Sequence, residues 1–173
     1  MKLNNKKGIL FWITGLSGAG KTSISNKIYN TIKKKYGKTL YVNGDEMRKI
    51  LDLKSYKNSD RKKGAIKYSK LFKKVTDQKI NVLFAGMALF DDVRSWNKKN
   101  IKNYLEIYIQ TNIRNIIKKK YTKIYKQKTN LVGIDIKPEF PKKPDIIIKN
   151  DFKKTIKNLS NDLIFKIDKK IKL

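Results

Sequence analysis

The chain has 173 residues, with 43 lysines and arginines against 14 aspartates and glutamates, a formal charge of +29, and 39% hydrophobic residues. That length suits a single domain, 1–173, with its own core, and that apolar content excludes a disordered chain. Cysteine and histidine are both missing, which excludes disulfides, thiolate and imidazole metal sites, cysteine nucleophiles and imidazole general bases; acid–base work falls to Asp, Glu, Lys or Tyr.

Gly8 to Thr14 is a short apolar run that reads as a buried strand. The segment Gly15-Leu16-Ser17-Gly18-Ala19-Gly20-Lys21-Thr22 follows it. From Lys21, isoleucines at 24, 28 and 32 predict a helix ending in Lys33-Lys34-Lys35, cations that suit the helix dipole, with Gly37 stopping it. Thr39–Val42, Asn81–Ala85, Tyr104–Ile109 and Asp145–Ile148 are four further strands. Helical stretches lie between them, the longest Asp60–Gln78, and a terminal helix is expected from about Phe152 to Ile171. Strands alternating with helices predict an α/β fold, a parallel sheet with helices on both faces. The stretch from Lys118 to Lys137 has the weakest periodicity, and an irregular stretch of that length is expected to be a lid.

No apolar run approaches the ~20 residues needed to cross a bilayer, and the Lys/Asn-rich start has no apolar signal region, so a cytoplasmic protein without membrane partners is expected. The charge raises nucleic acid as a partner. Only four basic residues are arginines, Arg48, Arg61, Arg94 and Arg114, and the lysines are spread through every segment. Base and groove readers rely on the arginine fork, so a solvated lysine surface is the favoured reading over a nucleic-acid footprint. Small anionic substrates would still be attracted.

The 15–22 segment fits G-x-x-x-x-G-K-[ST], set between a strand and a helix as a P-loop requires. Its backbone N–H groups and helix N-terminus face a phosphate chain, Lys21 reaches the β- and γ-phosphates, and the Thr22 hydroxyl ligates Mg²⁺, which implies ATP with Mg²⁺. Asn43-Gly44-Asp45 lies after the second strand, where a carboxylate points into the ligand crevice of a parallel sheet. Asp45 is either an N-cap or a group that positions or deprotonates an acceptor hydroxyl with Mg²⁺; beside a P-loop the second reading is favoured. Arg48 and Arg61 are candidates for gripping phosphate, a use for which lysine is a poor substitute.

With these residues in place, the chain resembles the adenylylsulfate (APS) kinases over roughly residues 8–150. The strand and P-loop Trp12–Thr22, the element Asn43-Gly44-Asp45-Glu46-Met47-Arg48, the element Tyr56 to Asp60-Arg61, and Gly133-Ile134-Asp135 with Pro138, Pro141 and Pro144-Asp145 follow the family's order and spacing. The resemblance implies a P-loop kinase fold with a five-stranded parallel sheet and a lid, a homodimer, and transfer of the γ-phosphate of ATP to the ribose 3'-hydroxyl of a nucleotide. It also implies that Lys21 and Asp45 are catalytic, Asp45 serving both hydroxyl and magnesium. Arg48 and Arg61 hold the acceptor's phosphate side and Tyr56 stacks on its base.

The sequence departs from the family on the acceptor side. Gly64 stands where an asparagine is usual, and Gly86-Met87-Ala88-Leu89-Phe90-Asp91 replaces a serine- and proline-containing stretch. Lys119 to Tyr125 only loosely follows the lid pattern, and Leu131 replaces the second aromatic of the base sandwich. A lost stacking face, worth about 1–3 kcal/mol, argues against an adenine nucleotide. The stretch from Gly86 to Asn97 resembles a capsule-polysaccharide branch of the family whose acceptor is cytidine diphosphoramidate (CDP-amidate). That acceptor ranks first, APS second, and a non-enzymatic basic P-loop protein that binds nucleic acid third. Arg94 and Trp96 are either substrate-facing or ordinary helix surface and core, while Asp91-Asp92 reads as a helix N-terminus in preference to a second metal site.

Overall fold

A computed structural model describes residues 3, 4, 6–119 and 131–171. Strand β1 (Ile9–Thr14) leads to α1 (Lys21–Tyr36), β2 (Thr39–Asn43), α2 (Gly44–Ile50) and α3 (Asn58–Asp77). β3 (Asn81–Gly86), α4 (Asp91–Asn100), β4 (Asn103–Gln110) and α5 (Ile113–Lys118) follow, then β5 (Ile146–Lys149) and α6 (Ile156–Lys170). The strands form one parallel sheet in the order β2-β3-β1-β4-β5. This is the five-stranded architecture expected from the sequence.

β1 is buried at every residue because it lies between β3 and β4 with helices on both faces. Side chains alternate across a strand, so Ile9, Phe11 and Ile13 join Ile24, Ile28 and Ile32 of α1 and Leu159, Leu163 and Ile167 of α6 in one core. Leu10 and Trp12 point the other way, into a second core with Phe72 of α3 and Val93 of α4. Trp12 packs against Phe84 with ring centroids 4.5 Å apart. Each such side chain contributes roughly 1.5–3 kcal/mol by leaving water, which makes the middle of the sheet rigid. Its register sets Thr14 beside Gly86 and Asn43 beside Ala85. The carboxyl ends of β2, β3 and β1 therefore open side by side at one edge of the sheet.

The terminal helix begins at Ile156 and not near Phe152. Phe152 has φ of 65°, the Asn150 and Asp151 side chains accept from the Phe152 and Lys153 amides, and the Thr155 hydroxyl accepts from the Asn158 amide as the true N-cap. Of the expected lid, Lys118 and Lys119 close α5 and Leu131 to Ile136 form a tight turn; 120–130 lie outside the described residues.

Candidate active site

The P-loop residues Gly15, Leu16, Ser17, Gly18, Ala19, Gly20, Lys21 and Thr22 join β1 to α1. Gly15 has φ of 151°, and a Cβ there would lie 2.6 Å from the Ile109 carbonyl oxygen of β4, so the loop can hug the sheet only with glycine. Gly20, at φ 93°, enters α1 with no side-chain cap on the first turn. The helix's leading N–H groups are thus left to the loop's concave side, where a phosphate chain suits them. Asn150, just after β5, donates from Nδ2 to the Ala19 carbonyl at 3.0 Å and ties the far side of the sheet to the loop.

Lys21 is buried, and its Nζ donates to the Leu16 carbonyl at 2.7 Å across the loop. Burial lowers its pKa to about 8, opposed by the Asp45 charge. An ammonium held this close to neutrality by desolvation gains strongly from an anion placed beside it. Thr22, one residue on, is exposed in the first turn of α1.

The side chain that caps α2 is Asn43, not Asp45. The Asn43 side chain accepts from the amides of Asp45 and Glu46, both at 3.0 Å, and Glu46 reaches back to the Asn43 amide at 2.8 Å, a reciprocal capping box. The exposed Asp45 carboxylate takes no hydrogen bond or ion pair from the described residues, and its charge reaches Lys21. A close approach makes this geometry possible: a Cβ on Gly44 would lie 3.4 Å from the Gly86 Cα, so α2 starts flush against the end of β3.

Beyond α2, the 51–57 loop is fastened by side chains to its own backbone. Arg48 Nη2 donates to the carbonyls of Leu53 and Ser55, the latter at 2.8 Å. Ser55 Oγ donates to Asp60 at 2.6 Å, and Arg61 Nε donates to the Tyr56 carbonyl at 2.9 Å. The Arg48 and Arg61 guanidinium carbons lie 4.1 and 5.1 Å from the centre of the Tyr56 ring, which is 51% exposed. Burial and the nearby Arg48 charge lower the Arg61 pKa. Asp45, Arg48, Lys49, Asp52, Leu53, Lys54 and Tyr56 line a cavity of about 530 Å³, large enough for a nucleoside portion of a ligand. Arg48 and Tyr56 thus gather at one cavity with Asp45 and with Arg61 against the same ring, although Arg48 holds the loop, where a phosphate grip was expected, and the guanidiniums pack on the ring.

Leu131 is not brought there. It is buried, its amide donates to Asp135 at 2.8 Å and its carbonyl closes the turn to Ile136, while Gly133 of that turn abuts Leu16 of the P-loop. Arg94 is not helix surface: only 5% exposed, it pairs through Nε with Glu106 at 3.0 Å and through Nη2 with Asp91 and the Glu139 carbonyl. Trp96 is half-buried against the second core. Asp91 and Asp92 open α4, paired with Arg94 and Lys62. Sequence reasoning missed Glu106, whose signal was a lone carboxylate inside the apolar strand Tyr104–Ile109; burial pushes its pKa up to about 7 against the pull of Arg94, with Asp145 adding to the rise. It also missed that Leu53 packs against Gly64.

The adenylylsulphate kinase family model matches residues 7–149. The chain belongs to that family. Among its relatives is the cytidine diphosphoramidate kinase of Campylobacter jejuni, 34% identical over 91% of this chain and 95% of the other. The adenylyl-sulfate kinase of Buchnera aphidicola (from Acyrthosiphon pisum) is 30% identical over 92% of this chain and 84% of its own. The solved Mycobacterium tuberculosis APS kinase, in complex with AMPPNP and APS, shares the fold at a TM-score of 0.82 and 22% identity, over 94% of this chain and 98% of that one. As a member of the adenylylsulphate kinase family, the chain is an ATP-dependent phosphotransferase of the P-loop fold. The site suits the magnesium that such kinases use. Mg²⁺ keeps several waters and takes only one or two protein oxygens beside phosphate, and the exposed Thr22 and Asp45 offer such a set. No helix among the described residues is long and apolar enough to cross a membrane.

Proposed function

We propose that this kinase phosphorylates the ribose 3'-hydroxyl of a nucleotide carrying a 5'-diphospho-like adduct, with CDP-amidate, in capsule O-methyl phosphoramidate synthesis, as the acceptor. The observation that carries the reading is Asp45: α2 is capped by Asn43 and Glu46, and the Asp45 carboxylate, without a hydrogen bond or ion pair among the described residues, lines the cavity and acts electrostatically on the P-loop lysine. The P-loop amides and Lys21 hold the β- and γ-phosphates of ATP. Thr22 and Asp45 would hold Mg²⁺, which supplies charge neutralisation on the phosphates. Asp45 accepts the hydroxyl proton as the 3'-oxygen bonds to the γ-phosphorus; the bond to the β,γ-bridging oxygen breaks and ADP leaves. The half-exposed Tyr56 ring serves the acceptor's base, and Arg48 and Arg61 hold the loop that presents it. The acceptor is proposed from the Campylobacter jejuni relative and from the departures of the acceptor-side sequence, Gly64 and the 86–91 stretch.

APS is the second reading, favoured by the family match and by the Buchnera relative. ADP release measured with CDP-amidate and APS side by side decides: kcat/KM for CDP-amidate is expected to exceed that for APS by at least about tenfold. Equal or better turnover of APS replaces the first reading with the second. A homodimer belongs to the same proposal, and light scattering checks it.

A further inference from the structure

Gly64 lies within the 20-residue helix α3, which runs through it without interruption although glycine is less favourable there than any residue but proline. Its place is explained by packing. A Cβ on Gly64 would lie 2.6 Å from Leu53 Cδ1, 3.6 Å from Cδ2 and 3.7 Å from Cγ. Leu53 therefore occupies the space that a side chain at 64 would fill. Its backbone is not able to follow a displacement, because the Leu53 and Ser55 carbonyls are held by Arg48 and the Tyr56 carbonyl by Arg61. Leu53 also lines the cavity that holds Tyr56 and Asp45.

We propose that the seat of Leu53 on Gly64 sets the width of the acceptor's base pocket and is a specificity determinant of this kinase. The proposal rests on the reading that this cavity takes the acceptor nucleotide. With glycine at 64, the leucine tip is drawn against α3 and away from the ligand, and no side chain from position 64 reaches the base. Recognition there is by shape, on an apolar wall, and not by hydrogen bonds to a base edge. Adding a Cβ rotates the flexible tip of Leu53, the cheapest response when its backbone is pinned, and narrows the cavity beside Tyr56.

The test combines Gly64→Ala, Leu53→Ala and the double variant in the full chain. Kinetics with CDP-amidate and APS are joined by calorimetric binding of CDP, a probe that needs no turnover. Gly64→Ala is expected to raise the acceptor KM, and the CDP Kd, by about tenfold while the KM for ATP stays put and the melting temperature holds or rises, since alanine favours the helix. Removing the leucine tip in the double variant should bring both values back to within about threefold of the parent. That rescue is the decisive reading, because a general loss of fold is not repaired by a second truncation. A Gly64→Ala effect that falls equally on ATP, or that survives in the double variant, overturns the proposal, as does CDP that fails to bind or that ignores both substitutions. If CDP follows the expected pattern while neither acceptor is turned over, the assigned acceptor falls and the role of Leu53 and Gly64 stands.

Discussion

The two ends of the site are built by different means. The P-loop is held by backbone geometry: Gly15 against the Ile109 carbonyl, Gly20 opening α1, and Lys21 bridging to Leu16. The proposed acceptor cavity is held by side chains that grip backbone carbonyls, Arg48 on Leu53 and Ser55 and Arg61 on Tyr56. A backbone cradle recognises phosphate whatever carries it, so it tolerates no change and needs none. A cavity shaped by side chains is re-formed by single substitutions. One fold can therefore keep its donor site while its acceptor changes.

The largest expected effect breaks the donor end alone. Lys21→Ala should lower kcat/KM by at least about a thousandfold, because the charge that meets the β- and γ-phosphates is gone, yet the melting temperature should not fall. Lys21 is buried with its pKa lowered to about 8, so its ammonium is costly to keep in the empty loop. Turnover above a tenth of the parent's would remove Lys21 from the mechanism. Asp45→Asn comes next, with kcat lower by about a hundredfold or more and the KM for ATP little changed, as a proton acceptor is lost but the cradle remains.

A third measurement concerns neither end but the buried Arg94–Glu106 pair between α4 and β4, which should carry its own pH dependence. Glu106 is raised to about 7 in the folded chain, against an ordinary value of 4.5, by burial first, with Arg94 and Lys98 opposing and Asp145 and Asp91 adding to the rise. The neighbouring Tyr104 is itself pushed up by burial. A group whose folded pKa is raised favours folding fully below its unfolded value, and that contribution is lost as pH rises through the folded value. Stability from Glu106 should therefore decline between about pH 4.5 and 7.5, by up to about 3 kcal/mol. Glu106→Gln stays uncharged and should lack the decline, so the difference in unfolding free energy between the two proteins should shift with pH across that window. A difference that is flat with pH would show that Arg94 keeps Glu106 ionised throughout.

How much of this was legible follows the same division. The five strands, their parallel order of faces and the P-loop are written in local patterns, alternation, isoleucines at helical spacing and glycines at fixed offsets, and the structure agrees with them. Asp45 and Arg48 were found through spacing, but the role of each depends on partners that spacing does not show. Asn43 takes the cap because Glu46 sits three residues on to complete the box, a pattern present in the sequence that the reading of Asp45 as the cap candidate passed over. In the sequence Arg94 is open between a substrate-facing group and ordinary helix packing, because only the fold shows that β4 brings Glu106 beside it. Leu131 was placed against the base by correspondence alone, and its turn instead packs by the P-loop. The start of α6 was misplaced because Asn150, Asp151 and Thr155 turn the chain before the helix can begin.

The smallest effect separates the two carboxyl-amide neighbours at the head of α2. Asn43 holds the amides of Asp45 and Glu46, while the Asp45 carboxylate takes no hydrogen bond from the described residues. Asn43→Ala should therefore cost about 1 kcal/mol of stability, the ordinary worth of an N-cap, and lower the melting temperature by roughly 2–4 °C in a chain of this size. Turnover should fall less than tenfold, since the Gly44 approach to Gly86 still places the helix start against β3. Asp45→Asn should show the mirror image, an unchanged melt and a large loss of kcat. Thermal melts and steady-state kinetics on the same two proteins give both answers. If Asp45→Asn lowers the melt and spares kcat while Asn43→Ala leaves the melt alone, Asp45 is the cap after all, and the proton acceptor must be sought elsewhere in the cavity.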